Sequence, residues 1–458
     1  MLKLTCTEIL KAVNGELLSG ELKSKAYGVS TDSRNINPGS LFIPLIGENF
    51  DGHDYINEAF TKDASISLTH KDITKKNDKT IIRVEDTLKA LGDLSAYWRL
   101  KFSIPLVAIT GSVGKTSTKD MISSILSQKY NVLKNEGNFN NEIGLPLTLL
   151  KLDSFHEVII VEMGMRGLGE IQRLSSISKP NVSVITNIGT SHIEKLGSKK
   201  NILKAKMEII EGMNKDGCVV LNGDDKLLEG AKDYIKFRKV MFSINEKTDF
   251  QGYNLKSAGE EGSFFELLIN NNEYKFHVPV PGVHNVYNAL AAICVGIEMG
   301  ITSEKIILGL SEYKSGKMRM NIVAHKDLKI INDSYNASPE SVKAALNVLK
   351  ESGKGKRTIA VLGDMLELGE FSEKLHFETG KFAASKNIDV IVTVGKEACY
   401  IAYGAEETGV DRKKIFSFKN TTDVNKFLDE SINKDDVILI KGSRGMKMEK
   451  VVEHLLSK

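Results

Sequence analysis

The stretch Ile104-Pro105-Leu106-Val107-Ala108-Ile109-Thr110, followed at once by Gly111-Ser112-Val113-Gly114-Lys115-Thr116-Ser117, constrains this chain more than any other. An unbroken apolar run of strand length enters a glycine turn and then a helical segment at 118–130, which is how a parallel-sheet unit with a crossover helix begins. A strand apolar at every position is buried on both faces, so helices must cover both sides of the sheet that holds it. The turn itself is built for an anion. Gly111 and Gly114 let the backbone wrap close, the amides of Ser112, Val113 and the following residues point inward at a helix N-terminus, Lys115 neutralises charge, and the Thr116 hydroxyl, with Ser117 beside it, can hold Mg²⁺. Ile109 stands where the common GxxxxGK[ST] pattern has its first glycine, so this is a tighter loop that starts at Gly111. A plain helix-starting turn accounts for the glycines but not for Gly-Lys-Thr in register after a buried strand.

Further strand-sized apolar runs at 158–162 and 182–186 are separated by helix-length segments, the alternation of a doubly wound α/β domain. A length of 458 residues is compatible with about three such units. Residues 1–100 mix short apolar stretches with turn signals such as Asn37-Pro38-Gly39 and read as a small α/β domain. Residues 101–314 form the central domain; the alternating segment 247–280 is a β-rich extension of it, and an alanine-rich helix follows at 285–299. Residues 315–458 repeat the strand-helix series, with apolar runs at 329–331, 358–362, 389–394 and 437–440, and read as a second, smaller Rossmann-like domain.

Charge excludes one broad class: 62 basic against 59 acidic residues leave +3, too little for a protein that lives on nucleic-acid phosphates. No apolar run approaches the roughly 20 residues that span a bilayer, and residues 1–15 lack the apolar core of a signal peptide. Cys6, Cys218, Cys294 and Cys399 are scattered with no CxxC pair, which argues against a disulfide framework and a thiolate zinc site and for a reducing cytoplasm.

Doubly wound sheets place their chemistry at the carboxyl ends of strands. Glu162 ends one such run and is suited to carry a metal beside the phosphate loop. His192 lies a few residues beyond the next strand, where a neutral imidazole could be a second ligand, although a lone histidine is ordinary. Lys204 and Lys206 share a helix and point about 200° apart, so at most one faces a site, and a solvated pair is the simplest reading. In the last third, Asp333 and Asn336 follow an apolar strand and precede a Ser338-Pro339-Glu340 helix start; capping explains Ser338 and Pro339 but does not require the other two.

Together these pieces resemble the Mur ligases, ATP-dependent enzymes that extend the peptide stem of the peptidoglycan precursor. The resemblance runs through Ser30-Thr31-Asp32-Ser33-Arg34, Asp51-Gly52-His53, the glycine loop, Asn138-Phe139-Asn140-Asn141-Glu142, Glu162-Met163-Gly164, His284-Asn285, the Asn332 segment and Gly363-Asp364-Met365-Leu366-Glu367-Leu368-Gly369, in that order. It implies that ATP sits on the loop with Lys115 at the β- and γ-phosphates, that Thr116, Glu162 and His192 surround Mg²⁺, and that Lys206 is carbamylated to serve a second Mg²⁺. It further implies that Asn288 lies at the adenine, that Arg319 reaches the phosphates and Asp333 the nucleotide, and that Lys115, Glu162, His192, Lys206 and Arg319 form the catalytic set. Ser30, Thr31, Asp32, Ser33 and Arg34 would hold a UDP end, and Asn140, Asn141 and Asn336 the rest of the substrates. A cytoplasmic monomer is the implied form.

Within that family the Ser-Tyr-Asn-Ala-Ser-Pro stretch favours the branch that joins D-alanyl-D-alanine to UDP-N-acetylmuramoyl-tripeptide. Its usual form has Asn where Ser338 stands and often Asp where Asn332 stands. The rivals are the ligase that adds the third stem residue, whose Asp-Asn-Pro-Arg tetrapeptide is missing here, and folylpolyglutamate synthetase. A non-catalytic nucleotide-binding regulator is the alternative from another class; the loop alone permits it, but it gives no role to Glu162, His192 and Asp333.

Overall fold

A computed structural model describes residues 2–72 and 79–458. The central sheet has seven parallel strands in the order Phe250–Gln251, Arg238–Ser243, Cys218–Asn222, Val182–Ile185, Leu106–Thr110, Val158–Glu162 and Val132–Lys134. Side chains alternate across it. Val107, Ile109, Val158 and Ile160 pack under the helices Lys115–Leu126 and Val283–Glu298, while Leu106, Ala108, Ile159 and Val161 belong to the core on the opposite face. The chain leaves Leu106–Thr110 toward one edge and returns to its other side at Val182–Ile185, so the glycine loop occupies the topological switch point where open α/β sheets bind ligands.

The alternating segment at 247–280 contains an antiparallel sheet of Tyr253–Ser257, Ser263–Ile269 and Asn272–Val278, whose buried Phe265, Leu267 and Phe276 join the same core as the alanine-rich helix. Close packing of Ala289, Ala291 and Ala292 against the sheet explains why small residues fill that helix.

Two further sheets of five and six strands flank this body, beside a two-stranded pair of Leu4–Thr5 with Lys25–Ala26. Near the N-terminus, Glu16–Ser19, Thr80–Arg83, Ile66–Thr69, Leu41–Phe42 and Val29–Ser30 form five strands, parallel except for the first. In the last third, Asn321–His325, Leu328–Asn332, Val437–Lys441, Thr358–Gly363, Val390–Val394 and Ile415–Phe418 form six, with Asn321–His325 the single antiparallel edge. The strand Val437–Lys441 enters between two strands made about a hundred residues earlier, which puts its carboxyl end beside that of Leu328–Asn332. Among the described residues, no helix is long and apolar enough to cross a membrane.

Candidate active site

The glycine loop is shaped by two close approaches. Gly114 has φ +84° and caps the helix Lys115–Leu126; a Cβ there would collide with Asn288 Oδ1. Only glycine accepts both the left-handed backbone and that neighbour. Asn288 is held by its own partners, accepting from Thr118 Oγ1 at 3.2 Å and donating to Asn285 Oδ1 at 3.1 Å. Lys115 folds back over the loop, its Nζ donating to Gly111 O at 2.9 Å and Ser112 O at 3.3 Å. Burial holds its ammonium below the usual lysine range, with Arg319 adding to the effect and Glu162 opposing it. Half-buried at the cavity wall and held by two carbonyls, this cation is open to an anion in the cavity.

Glu162 ends its strand at 3% exposure. Its Oε2 accepts from Thr116 Oγ1 at 2.7 Å and its Oε1 from Asn140 Nδ2 at 2.8 Å, so a helix start, a strand end and a loop meet at one carboxylate. Asn141 does a different job: its Oδ1 accepts the amides of Ile143 and Gly144, fixing the turn that leads into the short helix Gly144–Leu149.

These groups line a cavity of about 740 Å³. Of the residues singled out above, Ser112, Val113, Gly114, Lys115, Thr116, Ser117, Asn140, Asn141, Glu162, His192, Asn288, Arg319, Asp333 and Asn336 border it; Gly111, Lys206 and the 30–34 segment do not. The far wall comes from the last third of the chain. Arg319 lies over the Tyr335 ring, 4.1 Å from its centroid, and Asp333 accepts the Met320 amide at 3.0 Å. His192 Nδ1 meets the Glu367 carboxylate, and that contact holds the Glu367 carboxyl below the usual range.

Lys206 and Lys204 part company. Lys204 is exposed, whereas Lys206 is 2% exposed behind the loop, so the solvated-pair reading fails for it. Burial and the nearby Lys115 push its ammonium well below the usual lysine range, against the pull of Glu162, and among the described residues it makes no salt bridge.

Ser30 to Arg34 form a tight turn at the carboxyl end of Val29–Ser30, away from the cavity. Arg34 grips Asp32 through Nε at 2.9 Å and Nη2 at 2.8 Å, which lowers the Asp32 carboxyl to about 2. Ser30 Oγ donates to the carbonyls of Asp32 and Asn35, and Ser33 O accepts from Lys62. Thr31 completes the turn.

Lys441 was missed by sequence reasoning. It is 3% exposed at the end of Val437–Lys441, faces the cavity, and donates to Asp333 Oδ2 at 2.5 Å and Asn336 O at 2.9 Å. The same strand-end rule that picked Glu162 would have found it. Half-buried His284 also borders the cavity; desolvation lowers its imidazole to about 4, which favours the neutral form.

Comparison with known proteins accounts for this arrangement. Three family descriptions match in succession: "Mur ligase family, catalytic domain" over 25–99, "Mur ligase middle domain" over 109–296 and "Mur ligase, glutamate ligase domain" over 318–444. The UDP-N-acetylmuramoyl-tripeptide–D-alanyl-D-alanine ligase of Bacillus subtilis is 39% identical over 460 aligned positions, covering all of this chain and 99% of the relative. The chain belongs to the Mur ligase family. Its fold agrees with solved Mur ligases: MurF from Acinetobacter baumannii superposes with a TM-score of 0.93 at 30% identity over the whole of both chains. MurF from Thermotoga maritima, solved in complex with ADP, gives 0.85 at 29% identity over 94% of this chain and 97% of that one. The three flanking and central sheets are thus those of a three-domain α/β Mur ligase.

Proposed function

We propose that this Mur ligase joins D-alanyl-D-alanine to UDP-N-acetylmuramoyl-tripeptide at the expense of ATP, giving the UDP-linked pentapeptide. The observation that carries the proposal is the single cavity in which the phosphate loop and Glu162 face Arg319, Asp333 and Lys441 from the last domain. The names of the relatives point to the same substrates.

A carboxylate is a poor electrophile, so the terminal carboxylate oxygen of the tripeptide first attacks the γ-phosphorus and ADP leaves. The neutral amine of the dipeptide then attacks the acyl carbon, and the tetrahedral adduct collapses to amide with loss of phosphate and a proton. Lys115 is positioned to follow the negative charge on the transferring oxygens, with Arg319 approaching from the opposite wall. Asn288 and Asp333 would hold the nucleotide, and Asn140, Asn141 and Asn336 the peptide ends. Because the acyl phosphate is prone to hydrolysis, a cavity closed between two domains protects it.

The donors suit Mg²⁺: the Thr116 hydroxyl and Glu162 carboxylate are hard oxygens beside a phosphate loop, with His192 at the cavity wall. When bound, Mg²⁺ would supply charge neutralisation at the phosphates. Burial and the nearby Lys115 favour loss of the Lys206 ammonium proton, the amine so formed is suited to add CO₂, and its carbamate would place an anion beside Lys115.

Residues 1–100 would bind the UDP end at the carboxyl edge of their sheet, where Ser30 to Arg34 stand; residues 101–314 would bind ATP, and 315–458 the incoming dipeptide. We take the working form to be a cytoplasmic monomer, the compartment where ATP and UDP-linked precursors are found together. Incubation with all three substrates and Mg²⁺ should yield the pentapeptide by mass spectrometry; its absence while another amine acceptor is consumed would move the assignment to a sister ligase.

A further inference from the structure

The last domain touches the segment 187–192 of the central domain through Glu340 at Thr190 and through Glu367 at His192. Glu340 Oε1 accepts the Thr190 amide at 2.9 Å, and Thr190 Oγ1 lies 3.1 Å from both carboxylate oxygens. Gly189 makes room for this: a Cβ there would stand 2.8 Å from the Glu340 carboxyl carbon. Glu340 opens the helix Pro339–Ser352, yet that helix is already capped by the reciprocal Ser338 and Ser341 pair, so its carboxylate is free to turn outward to Thr190.

The other side of the same segment is bonded to the phosphate loop. Ser112 donates its amide to Asn187 O at 3.0 Å, Gly189 donates its amide to Ser112 Oγ at 2.8 Å, and Ser191 Oγ donates to Ser112 O at 3.2 Å. Asn187 Oδ1 accepts the Val113 amide at 3.0 Å. The segment is therefore bonded to the loop through Asn187, Gly189 and Ser191 and to the last domain through Thr190 and His192.

We propose that Glu340 is a positioning residue that couples docking of the last domain to the geometry of the phosphate loop, acting through Thr190. The proposal rests on the ATP-dependent ligase assignment. When Glu340 holds Thr190, the segment that braces Ser112 and Val113 is fixed from both sides and the loop is held as phosphate requires. When the domain departs, the brace loses its outer support. ATP then binds the docked form better than the undocked one, and in return favours docking.

The test is titration of a non-hydrolysable ATP analogue with Mg²⁺ into the full-length protein, alongside steady-state kinetics, for wild type, Glu340→Ala, Glu340→Gln, Thr190→Val and the Ala/Val double variant. Glu340→Ala should weaken the analogue and raise KM for ATP by about fivefold or more, with kcat at saturating ATP changed by less than about twofold. Glu340→Gln keeps an acceptor for the Thr190 amide and should recover most of the affinity. The double variant should be no weaker than Glu340→Ala alone, since Thr190→Val acts through a contact that Glu340→Ala has already removed. Gly189→Ala, which displaces the carboxylate while keeping it, should reproduce the loss if Glu340→Ala folds poorly. Unchanged analogue affinity in Glu340→Ala and Gly189→Ala, or fully additive losses, would overturn the proposal. A wild-type protein that binds the analogue but turns over no substrate would instead fail the ligase assignment, leaving the titration to judge Glu340.

Discussion

Thr116 Oγ1 donates to Glu162 Oε2 at 2.7 Å, joining the first turn of the phosphate-loop helix to the end of the neighbouring parallel strand. Glu162 is 46 residues away in the chain, and strand pairing of Val161 with Ala108 and of Glu162 with Ile109 is what brings it alongside. The contact puts a hydroxyl and a carboxylate at one spot above the loop. Replacing Glu162 by Gln keeps the hydrogen bond and removes the charge, so it should leave the melting temperature nearly unchanged while lowering turnover by about a hundredfold or more and raising the Mg²⁺ requirement. Wild-type Mg²⁺ dependence in Glu162→Gln would remove this carboxylate from the metal site.

Lys115→Ala should abolish measurable turnover without unfolding the protein. Lys115 is a half-buried cation held by two carbonyls of its own loop, so deleting it removes a loop contact rather than a partner on which the core depends. Circular dichroism and phosphate release on the same preparation separate the two effects; retained turnover would contradict the role given to the loop.

Breaking the Lys441 pair should do both kinds of damage. Lys441→Met leaves Asp333 without its cation in a site 3% exposed on the lysine side, a change that costs about 3 kcal/mol when a buried pair loses one member. Chemical denaturation should show the last domain destabilised, and KM for ATP should rise.

How much of this was legible beforehand differs from residue to residue. The strand at 158–162 and the Ser338 helix cap follow from local rules, because an apolar run and a capping serine carry their own physics. Lys206 could not be separated from Lys204 by helix geometry; the choice is made by the packing of Ile202 and Ala205 into the core, which carries Lys206 inward with them. Lys441 and Asp333 lie 108 residues apart, and only the insertion of Val437–Lys441 between Leu328–Asn332 and Thr358–Gly363 makes them neighbours. Such a crossover is set by the whole sheet and leaves no short-range signature.

Stability should fall on acidification before the carboxylates titrate. His284 is half-buried and its imidazole is lowered to about 4 by desolvation, whereas in the unfolded chain it protonates near the ordinary histidine value of 6.5. Between those values the unfolded state binds a proton that the folded state does not, so unfolding free energy rises with pH and is lost as pH falls from about 6.5 to about 4. His376 and His53 are shifted in the same direction by burial. Urea midpoints at several pH values should show the slope, and His284→Asn should flatten it; an unchanged slope would contradict the lowered imidazole.

Lys206→Ala should lose activity that formate or acetate partly restores by supplying the missing anion. Full activity in the unsupplemented variant would contradict the carbamate.

The most direct measurement is phosphate release by the purified protein with ATP and Mg²⁺, given UDP-N-acetylmuramoyl-tripeptide alone, D-alanyl-D-alanine alone, or both. Rapid release with both, matched by formation of the UDP-linked pentapeptide, is the predicted result. Silence with both substrates, or equal release whether or not either is present, would contradict it.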